Sequence, residues 1–206
     1  VNSFPSIHPG RLSEIKEFLA ASGLQCTCHD HTEHTRRTRK DTRMALARST
    51  MISPVGELTL IASDAGLVAV LWENDDPARV RLGEVQDRAD HPLLARTAAQ
   101  LAEYFAGERR AFDLPLDFRG TDFQKSVWAQ LLTIPFGETR SYGELARALG
   151  NPTASRAVGA ANGRNPISII TPCHRVVGAS GSLTGFAGGL ETKAFLLKLE
   201  GPRLLL

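Results

Sequence analysis

The chain is poor in cysteine and contains no long apolar run. Its three cysteines are an odd number, two of them in Cys26-Thr27-Cys28, which excludes a disulfide framework. No stretch approaches the ~18 apolar residues needed to cross a bilayer, so no membrane partner is expected. The first residues lack a basic-then-apolar order, so a secretory leader is not expected and a cytoplasmic location is. What remains is an ordinary globular composition, 42% hydrophobic and 22% charged over 206 residues. That length holds one large domain or two small ones.

The formal net charge of +2 conceals an asymmetry. From Asp64 to Asp117 there are 11 acidic and 6 basic residues. From Thr139 to Arg175 there are 5 arginines against a single acid, Glu144. Arginine suits phosphate and base contacts, so this half of the chain points weakly to a polyanionic partner.

Residues 1–50 read as an extension, with a short amphipathic stretch at Leu12–Leu19 and the basic run Arg36-Arg37-Thr38-Arg39-Lys40. Met51 offers a more natural start. The cluster Cys26, Cys28, His29, His31 and His34 lacks the Cys-x₂₋₄-Cys spacing of structural zinc sites, so no metal is expected there.

From Ser53 the pattern sharpens. Leu58, Leu60 and Ala62 alternate with polar residues as a half-buried strand does, Asp64-Ala65-Gly66 is a turn, and Leu67–Trp72 reads as a second strand. Leu94, Ala98, Leu101 and Phe105 mark one helix face, and Ala111–Phe118 alternates like a third strand. This predicts an N-terminal domain over 51–120: a small antiparallel sheet with a helix.

Residues 121–206 read as a mostly helical second domain, so the fold class is α+β. Thr121 can cap a helix that stops at Pro135, and Ser141 with Glu144 forms a capping box for Tyr142–Leu149. Gly150-Asn151-Pro152 ends that helix and Thr153 can cap the next. Two short helices about a Gly-containing turn form a helix-turn-helix pattern, which packed helix pairs without a nucleic-acid role share.

The second of those helices carries Ala154, Ala157, Gly159, Ala160 and Ala161, with Arg156 the large side chain among them. Such a helix either packs closely in a core or is thin enough for the minor groove. Beyond it lies Pro172-Cys173-His174-Arg175-Val176. A lone Cys is usually a small buried hydrophobe, but His174 and Arg175 beside it favour a thiolate.

These residues resemble the active-site motif of the O6-alkylguanine-DNA alkyltransferases (methylated-DNA–protein-cysteine methyltransferases). The resemblance runs from about Ser53 to Gly201 and includes Ser141-Tyr142, Gly150-Asn151-Pro152, Ser155-Arg156-Ala157-Val158-Gly159, Asn165-Pro166, Thr184-Gly185-Phe186 and Leu199-Glu200-Gly201. It implies a ribonuclease H-like N-terminal domain and a monomer without cofactor that binds double-stranded DNA containing O6-alkylguanine. By the resemblance, Cys173 is the alkyl acceptor, His174 a base working through a water, and Glu200 the carboxylate that orients it. Asn165 fastens the helix-turn-helix to the active-site segment, and Tyr142 donates a proton to the leaving guanine. Arg156 fills the gap left by a flipped base. Ser141, Tyr142, Ala154, Ala157, Gly159 and Ala160 form the DNA face, and Val176, Phe186 and Ala187 the base pocket. Phe186 stands where many members carry Tyr, so a hydroxyl is lost. The implied function is irreversible, single-turnover transfer of the alkyl group to cysteine, with O4-alkylthymine left open as a second substrate. The alternatives are a non-enzymatic lesion-binding protein, which would lack the acceptor Cys, and a helix-turn-helix regulator, which would need base-reading side chains on the second helix.

Overall fold

The computed structural model describes residues 45–201. The Cys26–His34 cluster and the amphipathic stretch at Leu12–Leu19 lie outside the described residues. No described helix is long and apolar enough to cross a membrane.

A four-stranded sheet has the order β3-β2-β1-β4, with β1 at Leu46–Ser53, β2 at Gly56–Ser63, β3 at Gly66–Trp72 and β4 at Val85–Asp87. β1, β2 and β3 form an antiparallel meander, but β4 joins β1 in parallel, so the sheet is mixed rather than antiparallel. Strand β1 begins at Leu46, ahead of the boundary expected at residue 51. The strand expected over Ala111–Phe118 does not form. That segment touches β3 through one bridge, Leu67 to Leu116.

Helix α1 (Pro92–Phe105) has its first N–H deleted by proline where no partner exists anyway, and it buries Leu94, Leu101 and Tyr104 on the sheet. Their cluster includes Leu58, Leu60, Leu67 and Val70 from the sheet and Ile167, Ile169, Ile170 and Leu196 from the C-terminal region. One core thus spans both halves of the described chain.

Three helices follow: α2 (Asp122–Leu131), α3 (Tyr142–Ala148) and α4 (Ser155–Gly163). Thr121 and Ser141 close full capping boxes with Gln124 and Glu144. Thr153 does not cap α4: its hydroxyl bonds Asn151 Oδ1, and Ala154 takes the cap position with no side-chain bond. Trp128 Nε1 donates to Ala161 O at 2.9 Å, locking α2 to α4.

A parallel pair, β5 (Arg140–Ser141) and β6 (Val176–Val177), ties the start of α3 to a 3₁₀ turn at Cys173–Arg175. Helix α5 (Gly189–Glu200) closes the described fold.

Candidate active site

The segment that carries Cys173 is held from behind by the sheet. Val70 N donates to Pro166 O at 2.9 Å, which pins the start of Ile167–Thr171 to β3. Ile169 has φ 70°. A β-branched residue in the left-handed region costs about 1–3 kcal/mol, and the full burial of its side chain keeps it there. Asn165 fixes both ends of this bend: its Nδ2 donates to Thr171 O at 2.8 Å and its Oδ1 accepts from Ile167 N at 3.1 Å.

Cys173 follows, 4% exposed and free. Burial is the largest influence on its thiol and pushes the pKa up. A hydrogen bond with the Asn165 side chain and the charges of Arg79 and Lys193 oppose that rise. Arg175, expected to lend its charge to the sulfur, is turned away on the 3₁₀ turn. It donates to Glu200 through Nε at 2.7 Å and to Ile134 O at 2.6 Å.

His174 is fully buried, with Nε2 2.7 Å from Glu200 Oε1. Glu200 also accepts from the Tyr104 hydroxyl at 2.7 Å, from Arg175 Nη2 at 3.0 Å and from Gly137 N at 3.4 Å. Burial alone would raise its pKa, but the bonds from His174 and Arg175 outweigh it and bring the carboxyl down to about 2. Glu200 is therefore an acceptor only, and the 2.7 Å contact puts the proton on His174 Nε2. Burial is the largest influence on the ring and lowers its pKa, while Glu200 pushes toward the imidazolium without outweighing it. The resting imidazole is neutral, and its basic nitrogen, Nδ1, is buried with no protein partner among the described residues.

Cys173 and Val176 share a buried cluster with Val158 and Ala161 of α4, and Tyr142 from α3 and Phe186 pack against it. Tyr142 is half-buried at the start of α3, and its hydroxyl accepts from Thr184 Oγ1 at 3.0 Å, which leaves its own proton to donate elsewhere. A Cβ on Gly159 would lie 3.7 Å from the Tyr142 ring, so the bare helix surface sits against this aromatic. Phe186 meets Trp72 edge-on at 5.4 Å. Gly188 is required here, because a Cβ would come within 2.7 Å of the Trp72 ring. Val176 is buried and Ala187 exposed.

On α4, Val158, Ala161 and Asn162 face the core, while Arg156, Ala157 and Ala160 are exposed and Ala154 and Gly159 half-buried. Arg156 makes no hydrogen bond or ion pair among the described residues. The Ser141 hydroxyl is engaged in its cap, at 2.8 Å from Glu144 Oε2. The predicted residues thus fall into two neighbouring groups: a buried relay of Cys173, His174, Glu200 and Asn165, and an open face on α4 next to Tyr142.

Three contributors escaped the sequence reading. Tyr104 reaches Glu200 from the N-terminal domain. Arg79 donates to Asn165 O while paired with Asp75. Lys193 is fully buried with no carboxylate partner among the described residues, and its Nζ donates to Val176 O at 2.6 Å and Thr184 O at 3.0 Å. Burial lowers the Lys193 pKa, and the Cys173 charge acts to raise it. Its position was readable: Lys193 precedes Leu196 by three and Glu200 by seven, the spacing of one helix face.

Two family models match the chain: the ribonuclease-like domain of 6-O-methylguanine DNA methyltransferase over residues 46–118, and the DNA binding domain of the same protein over residues 122–202. The chain is 52% identical to a methylated-DNA–protein-cysteine methyltransferase of Methanosarcina acetivorans, over 72% of this chain and 94% of that one. It is 51% identical to the Mycobacterium bovis protein of the same name, over 75% and 92%. The Mycobacterium tuberculosis relative solved in complex with DNA superposes with a TM-score of 0.70 at 48% identity, covering 76% of this chain and 96% of that one. With both halves of the fold matched by models of one family, the chain belongs to the 6-O-methylguanine DNA methyltransferases.

Proposed function

We propose that this protein repairs DNA by moving the alkyl group of O6-alkylguanine onto Cys173 Sγ, one group per molecule. The observation that carries this reading is the buried thiol next to a neutral His174 whose tautomer Glu200 sets. His174 Nδ1 takes the thiol proton through a bridging water, and Glu200 stabilises the imidazolium that results. The thiolate then attacks the alkyl carbon. An S–C bond forms, the C–O6 bond breaks, and its electron pair leaves with guanine. The Tyr142 hydroxyl donates a proton to that anion. A thioether has no nearby group able to hydrolyse it, so the acceptor is not regenerated.

O6 of a stacked, paired guanine cannot present its alkyl carbon to a sulfur that is 4% exposed, so the base leaves the stack. The small residues Ala154, Ala157, Gly159 and Ala160 let α4 enter the minor groove of double-stranded DNA beside the Ser141 and Tyr142 backbone, and Arg156 fills the gap. The flipped base lies against Val176, Phe186 and Ala187. Asn165 couples α4 to the reacting segment by bonding both ends of the Ile167–Thr171 bend.

Intact-protein mass spectrometry after mixing with O6-methylguanine duplex tests this. The expected result is a gain of one methyl group, absent in Cys173→Ala. Tight binding to the lesion with no change in mass would instead make the protein a lesion-binding module.

A further inference from the structure

A cleft of about 490 Å³ lies at the C-terminal end of α4 and is lined by none of the relay residues. Its walls carry Arg79, Arg81, Arg119 and Arg164 and no acidic residue. Arg79 is paired with Asp75 and Arg119 with Asp117, so those two charges are largely offset. Arg81 and Arg164 are exposed and make no ion pair or hydrogen bond among the described residues. The N-terminus of α2, at Thr121 and Gln124, lines the same cleft and adds partial positive charge.

The arginines come from opposite ends of the charge asymmetry. Arg79 and Arg81 belong to the acid-rich Asp64–Asp117 stretch, yet they face Arg164 across one cleft. Exposed guanidinium forks suit a chain of phosphates, each taken by one fork. Arg164 directly follows α4, the helix that carries Arg156 in its first turn. Arg164 lies eight residues beyond Arg156, ~12 Å of helical rise, or three to four base pairs at 3.4 Å each.

We infer that this cleft is a second duplex contact, holding backbone phosphates three to four base pairs from the lesion. Arg81 and Arg164 are the phosphate ligands, and the Asp75–Arg79 pair fixes the loop that presents Arg81. The inference rests on the reading of α4 as the minor-groove helix. It adds that the ribonuclease-like domain itself touches DNA.

The test compares the full chain with Arg81→Ser/Arg164→Ser. Binding to an undamaged duplex is measured across a salt series, alongside methyl transfer from free O6-methylguanine base. Two lost phosphate contacts make the slope of log K against log salt shallower by about 1.8, with the free-base reaction unchanged. Uncharged methylphosphonate linkages three to four steps from the lesion weaken wild-type binding and leave the double variant unaffected. An unchanged slope, or an equal methylphosphonate penalty in both proteins, overturns the inference. So does a loss seen only when several copies crowd one duplex, which would make the cleft a contact between copies. A wild-type chain that never methylates Cys173 from duplex refutes the alkyl-transfer reading instead, and the salt comparison is read independently of it.

Discussion

Glu200 accepts from Tyr104, His174, Arg175 and Gly137, and these donors do not act alike on the base. Each donor other than His174 draws negative charge from the carboxylate and so weakens its pull on the imidazole proton. Tyr104→Phe removes one such donor without emptying the core. The carboxylate then favours the imidazolium more strongly, the His174 pKa rises, and the acid limb of the pH–rate profile for transfer moves to higher pH. A stability loss of about 1–2 kcal/mol accompanies it, from the missing buried hydrogen bond. If Tyr104 only packs, stability falls and the acid limb stays where it is. Cys173, His174 and Glu200 were legible because the motif around the cysteine and the Leu199-Glu200-Gly201 end are local patterns. Tyr104 was not, because 96 residues separate it from Glu200 and nothing near it in the chain marks its hydroxyl as a donor.

At the scale of elements, the same division between local and distant causes holds. The capping boxes at Thr121 and Ser141 form as expected, since partner and cap lie three residues apart. Thr153 fails as a cap because Asn151, two residues away, takes its hydroxyl. Strand β4 was missed and Ala111–Phe118 was misread as a strand because pairing is decided by distant neighbours, β1 for one and β3 for the other. Helix α4 yields its own prediction. Unstacking a base costs a few kcal/mol, and Arg156 has no partner among the described residues to compete for it. Arg156→Ala should slow transfer from duplex DNA roughly ten- to hundredfold and leave the reaction with free alkylguanine base unchanged. Equal slowing of both substrates in single-turnover assays would remove Arg156 from base flipping.

For the molecule as a whole, the relay makes stability depend on pH. Glu200 has a folded pKa of about 2 against an ordinary 4.5, so its contribution is complete above pH 4.5 and is lost as pH falls toward 2. The size is on the order of 3 kcal/mol. His174 acts with the same sign. Its folded pKa lies below the ordinary 6.5, so the unfolded chain takes up the proton first and stability begins to fall below that pH. Denaturant unfolding at pH 7, 5 and 3 should show a steady loss, with a smaller drop from pH 5 to pH 3 in Glu200→Gln. Equal slopes in the two proteins would place the acid sensitivity elsewhere.

Glu200 is also the last residue of the last described helix, and its partners come from α1, from the 3₁₀ turn and from the α2–β5 connection. A ribosome makes the chain from the other end, at roughly 5–20 residues per second. Helix α4 and the thiol are therefore synthesised a few seconds before the carboxylate that sets the His174 tautomer. During that interval the nascent chain possesses α4 and a sulfur but lacks the carboxylate that holds His174. Reactivity arrives last, as the act that completes the fold, and a chain stopped short of Glu200 carries an acceptor that was never armed.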